Sequence, residues 1–257
     1  MSENNEALPE GTLISHLLEL RTRLLRALIA VLIAFLPCAY YANQIFDWLS
    51  KPLVAKLPAG QKLIATTVTA TFTAPLKLAL VAGLLIAMPY VLYQIWAFVA
   101  PGLYRKEKRF AIPLLVTAIL LFYTGVAFSY FLVFPMVFRF FIATTPQNVQ
   151  LMADITNYLH FALTLFVAFG VAFETPVAVV LLVLTNLVTL KKLRAMRGYV
   201  LIVVFIVAAI LTPPDVMSQT AMAVPMYLLF EGGILFAAIL QRGSAAIPES
   251  APEQESN

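Results

Sequence analysis

Long apolar runs separated by short polar stretches dominate the chain. Six such runs extend roughly over these positions: 24–42, 76–100, 111–142, 157–187, 198–211 and 219–240. A helix needs about 20 residues to cross a bilayer core of about 30 Å, and five of the runs are near or above that length. The fifth run is shorter and would cover only about 21 Å as a helix. The pattern predicts an all-α membrane protein with six transmembrane helices.

Polar stretches flank and interrupt these runs. Residues 1–11 and 241–257 are polar and acidic, so we expect both ends to be disordered around one membrane domain at 12–240. The longest interruption, residues 43–75, contains Pro52 and an amphipathic stretch with Trp48, a residue type that prefers membrane interfaces. It predicts short surface helices that form a cap over one membrane face.

Charge sets the predicted orientation. The 257 residues are 61% hydrophobic and 12% charged, with a net charge of +4. Of the 17 Lys and Arg residues, 12 fall on the side shared by both termini, which places both termini in the cytoplasm. These 12 cations are Arg21, Arg23, Arg26, Arg105, Lys106, Lys108, Arg109, Lys191, Lys192, Arg194, Arg197 and Arg242. Because topology accounts for the positive charge, it does not indicate a nucleic-acid partner.

Motifs for catalysis or metal binding are missing from the sequence. It has no H-E-x-x-H, no G-x-S-x-G and no P-loop pattern. His16 and His160 fall on opposite membrane faces, so they cannot share a metal, and we interpret His160 as a satisfied interfacial residue. Cys38 is the one cysteine and cannot form a disulfide within the chain. The sequence therefore predicts neither an enzyme nor a cofactor.

Two carboxylates on the cytoplasmic side are candidates for a binding site. Glu19 precedes the first apolar run, and Glu107 lies among four cations between the second and third runs. Taken singly, each has a simpler interpretation as a surface charge, and for Glu19 that is a helical pair with Arg23 worth about 0.3–0.5 kcal/mol. Together they could each accept the planar guanidinium fork of one arginine from a cationic peptide.

Polar residues inside the apolar runs form a second group of candidates. A charge at the position of Glu174 would cost about 2.5–3.5 kcal/mol to insert, so this residue either serves a function or hydrogen-bonds within the bundle. Glu231, beside Gly232-Gly233, has the same two interpretations. Asp215 is a candidate N-cap of the last span, and Gln219 could contact another helix.

Two other classes of function stay open at this point. A secondary transporter for a small solute would use Glu174 as a proton-coupled site, but no inverted repeat is visible and the Glu19–Glu107 pair would be unexplained. An assembly or scaffold protein would tolerate charge changes at Glu19 and Glu107.

Four motifs resemble the TatC family, the large subunits of the twin-arginine protein translocase. They are S-H-L-L-E-L-R-T-R-L-L, F-V-A-P-G-L-Y-R-K-E-K-R, F-G-V-A-F-E-T-P-V and L-T-P-P-D-V-M-S-Q, in the same order and spacing over about residues 12–240. The resemblance implies a concave, glove-like bundle of six helices in a bacterial inner membrane.

The resemblance also implies functional residues and partners. Glu19 and Glu107, with Arg21, Phe98 and Arg109, would bind the twin-arginine signal peptides of folded proteins. Export would use the proton-motive force and the single-span subunits TatA and TatB, docking on the last hairpin and around span four, with self-association of the large subunit. Pro176, Pro213 and Pro214 within the motifs, and Pro52, which matches another position that the family depends on, would be structural.

Overall fold

Helices make up the regular structure of this chain. The computed structural model describes residues 10–54, 64–99, 111–144, 154–211 and 216–245, and within them it contains no strand. The helices are α1 (Glu10–Tyr40), α2 (Ala42–Val54), α3 (Ala70–Val99), α4 (Ala111–Phe128), α5 (Phe134–Thr144), α6 (Ile155–Ala172), α7 (Thr175–Leu184), α8 (Leu190–Ala195), α9 (Arg197–Leu211) and α10 (Val216–Ala245).

The predicted apolar runs correspond to helices in the same order. Five helical stretches are long and apolar enough to cross a membrane, namely Ser15–Tyr40, Ala70–Phe98, Ala111–Phe140, Ile155–Leu184 and Gln219–Gln241. α9 is a shorter apolar helix of 15 residues, about 22 Å long. The expectation of an all-α membrane protein is confirmed, and the fifth predicted run is the short helix.

Two boundaries differ from those predicted for the disordered ends. α1 already begins at Glu10, and α10 continues to Ala245, past the expected end of the membrane domain at residue 240. The remainder of the predicted tails, 1–9 and 246–257, lies outside the described residues. A helix can extend beyond its apolar face, because backbone hydrogen bonds continue into polar sequence.

Close pairs of helices form the bundle, and glycines allow the closest approaches. α1 packs along α3, α4 along α6, and α7 along α10. A Cβ on Gly125 of α4 would lie 2.5 Å from the carbonyl oxygen of Phe169, and one on Gly170 of α6 would lie 2.6 Å from the Phe122 ring. Each helix of this pair thus needs a residue without a side chain where it meets the other.

Two of the long spans are not continuous α-helices. A π-helical turn, Ser129–Val133, joins α4 to α5, and Trp48 of α2 stacks on its Tyr130 with ring centroids 5.3 Å apart. The second break lies between α6 and α7 at Phe173 and Glu174, where the Glu174 N–H bonds to the carbonyl of Val171 at 3.0 Å. Pro176 follows in the first turn of α7, where its missing N–H is tolerated.

Hydrogen bonds tie together one end of the bundle, which we call the Asp154 end (Leu49, Thr66, Asp154 and Tyr158). Asp154 caps α6 by accepting from the N–H groups of Thr156 and Asn157 at 2.9 and 3.0 Å. Its other oxygen accepts from the hydroxyl and N–H of Thr66 at 2.7 and 3.1 Å. The Tyr158 hydroxyl donates to the Leu49 carbonyl at 3.0 Å. These bonds join α2 and the start of α3 to the start of α6.

Candidate functional site

A ring stack at the opposite end of the bundle joins α1 to the last turns of α3. The His16 and Phe98 rings stack with centroids 4.2 Å apart and planes 23° from parallel. α3 is about 43 Å long, so Phe98 lies far from the Asp154 end, where α3 begins. We call this the Glu19 end, defined by His16, Glu19, Arg23 and Phe98.

Glu19 lies one turn from His16 on α1 and holds an arginine of its own helix. The Nε and Nη2 atoms of Arg23 donate to Glu19 Oε1 at 2.9 and 2.5 Å. The predicted pair at i, i+4 is therefore present. Both bonds end on Oε1, and the described residues provide no hydrogen-bond donor to Oε2, which leaves that oxygen available to a ligand.

The structure brings only some of the predicted peptide-binding residues together. Phe98 is placed beside α1 through His16. Arg21 is exposed on α1, and its position two residues from Glu19 puts it on another face of the helix. Glu107 and Arg109 lie outside the described residues, so their predicted role stays a prediction.

His16 is the residue of this end that sequence reasoning missed as a site residue. Its spacing of three from Glu19 puts both on one side of α1, which was visible in the sequence. Its ring contact with Phe98 spans 82 positions and depends on how α1 packs on α3, which periodicity does not reveal.

Glu174 lies at the break between α6 and α7. Its side chain is half-buried and makes no capping bond to α7, and its Oε1 atom is buried without a hydrogen-bond partner among the described residues. The described part of the chain therefore shows no hydrogen bond to this oxygen, and both interpretations of Glu174 stay predictions. A buried oxygen without a partner is rare in proteins and calls for an explanation.

Glu231 differs from Glu174 because it is fully engaged within the chain. Its Oε2 atom accepts from Arg197 Nη2 at 2.6 Å, and its Oε1 atom accepts from the Tyr227 hydroxyl at 3.0 Å. The pair fastens the start of α9 to α10. The hydrogen-bonding interpretation of Glu231 thus holds, and the two acids predicted as equivalent have different environments.

Gln219 also has a partner in the chain. Its Nε2 atom donates to the Phe205 carbonyl of α9 at 2.9 Å, so it links α9 to α10. Pro52 lies in α2. Pro176 of α7 packs closely on α10, since a Cβ added to Gly233 would lie 2.8 Å from the Cα atom of Pro176. Asp215, Pro213 and Pro214 lie outside the described residues.

Metal-binding side chains do not cluster in the described part of the chain, since no three His, Cys, Asp or Glu residues come together there. His16 and His160 belong to opposite ends, as predicted, because His16 contacts Phe98 whereas His160 follows Asp154 in the second turn of α6. The arrangement at the Glu19 end is suited to binding a cation through a carboxylate beside an aromatic ring.

Comparison with known proteins decides the family. A family model described as Sec-independent protein translocase protein (TatC) matches residues 15–225. The chain belongs to the TatC family. TatC from Azotobacter chroococcum mcd 1 is 51% identical over 242 residues, covering 94% of this chain and 95% of the relative. TatC from Escherichia coli K12 is 51% identical over 225 residues, covering 88% and 87%.

Solved TatC structures have the same fold. A crystal structure of a twin-arginine translocase receptor TatC superposes with a TM-score of 0.79 at 37% identity, covering 88% of this chain and 100% of that one. This TatC chain is thus a multi-pass membrane protein and a component of a protein translocase, not an enzyme. The solute-transporter and scaffold interpretations are set aside.

Proposed function

We propose that this TatC chain is the receptor subunit of the twin-arginine translocase and that its Glu19 end docks the signal peptides of folded precursors. Glu19 and Glu107 bind the two arginines of the peptide, Phe98 and His16 form an aromatic wall beside them, and Arg21 and Arg109 set the local charge. Docking precedes export of the folded cargo driven by the proton-motive force.

The His16–Phe98 stack is the observation that carries this proposal. It places Phe98 one helical turn from Glu19 along α1, and Glu107 follows Phe98 by nine residues in the chain. The last described residue of α3 is Val99, at the end of this helix away from the Asp154 end. We infer that Glu107, in the segment that follows, faces the same ligand as Glu19.

Glu19 can receive an arginine without first losing Arg23. Its Oε2 atom has no donor among the described residues, and its side chain is 38% exposed. An incoming guanidinium can bond to Oε2 while Arg23 keeps Oε1. A lysine ammonium lacks the planar fork that would bridge a carboxylate oxygen and a ring face, so an Arg-to-Lys change in the peptide weakens docking.

The partners in this proposal are TatA and TatB, and further copies of TatC in the receptor complex. The single-span partners dock on α9, α10 and the broken span of α6 and α7. Support comes from the length of α9, about 22 Å, which is less than a bilayer core of about 30 Å and thins the bilayer around it. The unpaired Oε1 of Glu174 offers a polar contact to a partner helix.

The proposed location is the bacterial inner membrane, with both termini in the cytoplasm and the Asp154 end on the outer face. The named relatives are bacterial. Described cations of α1 (Arg21, Arg23, Arg26) and of α8 and α9 (Lys191, Lys192, Arg194, Arg197) belong to the cytoplasmic side of this arrangement, in accord with the positive-inside rule.

Photocrosslinking tests the docking site. A peptide with an Arg-Arg pair and a photoreactive group beside it is mixed with the purified protein, with Glu19→Gln, with Glu107→Gln and with the double variant. We expect the yield to fall about tenfold in each single variant and to background in the double variant. The control is Asp47→Asn, because Asp47 is an exposed carboxylate on α2. An equal loss of crosslinking yield in Asp47→Asn would overturn the proposed docking site.

A further inference from the structure

A groove of about 460 Å³ runs between α3 and α6, far from the Glu19 end. Its lining includes Lys77, Leu80 and Val81 from α3, and His160, Thr164 and Val167 from α6. None of these residues belongs to the proposed docking site. The groove therefore needs an explanation of its own.

Polar and apolar groups are ordered along this groove. Both helices begin at the Asp154 end, since Thr66 precedes α3 and hydrogen-bonds to Asp154, the N-cap of α6. Lys77 and His160 are the first residues of each helix to reach the groove, and the apolar residues follow one and two turns deeper. From His160 to Ala168, at the far end of the lining, the groove is about 12 Å long.

The polar groups at its mouth have no partners in the described part of the chain. Lys77 and His160 are both exposed, and no hydrogen bond or ion pair joins either of them to another described residue. The interpretation of His160 as a satisfied interfacial residue stays a prediction, because residues 145–153 lie outside the described part of the chain. The Thr164 hydroxyl one turn deeper is also without a partner there, whereas Thr117, Thr124 and Thr185 bond to carbonyls of their own helices.

We propose that this groove binds one anionic phospholipid. The phosphate contacts the Lys77 ammonium and the His160 ring, a glycerol ester accepts from the Thr164 hydroxyl, and one acyl chain lies along Leu80, Val81 and Val167. The lining contains no Asp or Glu that could receive the ammonium group of a zwitterionic headgroup, so an anionic headgroup is favoured. The groove has a cation at its mouth and an apolar part below it, and it is only about 12 Å long. This fits part of a lipid acyl chain better than a partner helix that crosses the membrane.

Native mass spectrometry of the purified full-length chain tests this site. The protein is titrated with phosphatidylglycerol and with phosphatidylcholine of identical acyl chains. We expect the wild type to retain phosphatidylglycerol about fivefold more strongly. Lys77→Gln should abolish that preference, and His160→Gln should reduce it by less. Lys77→Arg should keep the preference, which separates loss of charge from misfolding.

The matched control is Arg139→Gln, since Arg139 is an exposed cation of α5 that does not line the groove. It should keep the full preference. Ala168→Trp fills the deep part of the groove and should weaken retention of both lipids. Equal binding of the two lipids by the wild type would overturn the proposal, as would an equal loss in Arg139→Gln, or full displacement of the lipid by inorganic phosphate.

Discussion

The two ends of the bundle are built differently. At the Asp154 end, hydrogen bonds connect residues 88 and 109 positions apart, from Thr66 to Asp154 and from Tyr158 to Leu49. At the Glu19 end, the ion pair is local to one helix, and a ring stack joins α1 to α3. The first end holds the helices together, whereas the second presents polar and aromatic groups that a ligand can use.

Burial follows the same division. Leu49, Leu159 and Tyr158 are almost completely buried beside the hydrogen bonds of the Asp154 end. On α1, by contrast, Leu17, Leu18, Leu24 and Leu28 are exposed, and only 6% of the most apolar window of this span is buried within the chain. The exposed face of α1 is thus open to contacts from outside the chain, whereas the residues of the Asp154 end are taken up by contacts within it.

The largest expected effect is on the helix pair that leads to the Asp154 end. Gly125→Leu would place a side chain against the Phe169 carbonyl and the Phe173 ring, at Cβ distances of 2.5 and 2.8 Å. Because the first contact is backbone, α4 and α6 must separate. We expect a loss of about 3 kcal/mol in unfolding free energy, the upper end of the usual cost of overpacking, measured by denaturant titration in detergent. Gly232→Leu is the control, since its Cβ would meet nothing within 4 Å.

Tyr158→Phe should have the next largest effect. It removes the hydroxyl that donates to the carbonyl of Leu49, a residue inside α2, so the bond between α6 and α2 is lost. The expected loss is about 0.5–1.5 kcal/mol by the same titration. Tyr199→Phe serves as the control, because Tyr199 is exposed on α9. Equal stability of Tyr158→Phe and the wild type would mean that this bond does not secure α2.

Acid should weaken the hydrogen bonds of the Asp154 end. The pKa of the Asp154 carboxyl lies below its ordinary value because the Thr66 hydroxyl donates to the carboxylate, as do the N–H groups of Asn157, Thr66 and Thr156. Its contribution to stability is therefore present above the unfolded pKa of about 3.9 and is lost as pH falls through the lower folded pKa.

The loss of this contribution is measured by following the thermal melting midpoint from pH 6 to pH 3. The wild type should lose stability toward pH 3 more steeply than Asp154→Asn, which lacks the titrating group and starts with a midpoint a few degrees lower. Asp47→Asn is the control and should follow the wild type. Parallel curves of melting midpoint against pH for the wild type and Asp154→Asn would contradict a lowered pKa of Asp154 in the folded protein.

The smallest expected effect on stability is at the Glu19 end. Glu19→Gln breaks the pair with Arg23, which is worth only about 0.3–0.5 kcal/mol. We expect no resolved change in the melting midpoint, even though crosslinking of the peptide falls about tenfold. A destabilisation as large as that of Tyr158→Phe would show that Glu19 supports the fold, and the contrast between the ends would fail.

Features that depend on nearby residues could be predicted from the sequence. Apolar length located the spans, and the spacing of four located the Glu19–Arg23 pair, because both are properties of a single helix. The break after α6 was not predicted; it falls at Phe173 and Glu174, just before Pro176, where α4 packs through Gly125.

Features that depend on contacts between distant residues could not be predicted from the sequence. Arg197 lies 34 positions from Glu231, and Thr66 lies 88 from Asp154, so no periodicity reveals either contact. Glu174 and Glu231 are equivalent by composition, since both are acids within apolar runs. Only packing shows that α9 supplies an arginine to Glu231, and that Oε1 of Glu174, at the helix break, has no hydrogen-bond partner among the described residues.

The most direct test of the receptor proposal compares two peptides on one protein. Binding of an Arg-Arg signal peptide and of its Lys-Lys counterpart is measured by fluorescence anisotropy. Each peptide is tested with the wild type and with the double variant that combines Glu19→Gln and Glu107→Gln. The account predicts that the wild type prefers Arg-Arg by about tenfold or more and that the double variant binds both equally weakly. An Arg-Arg preference that persists in the double variant would contradict it.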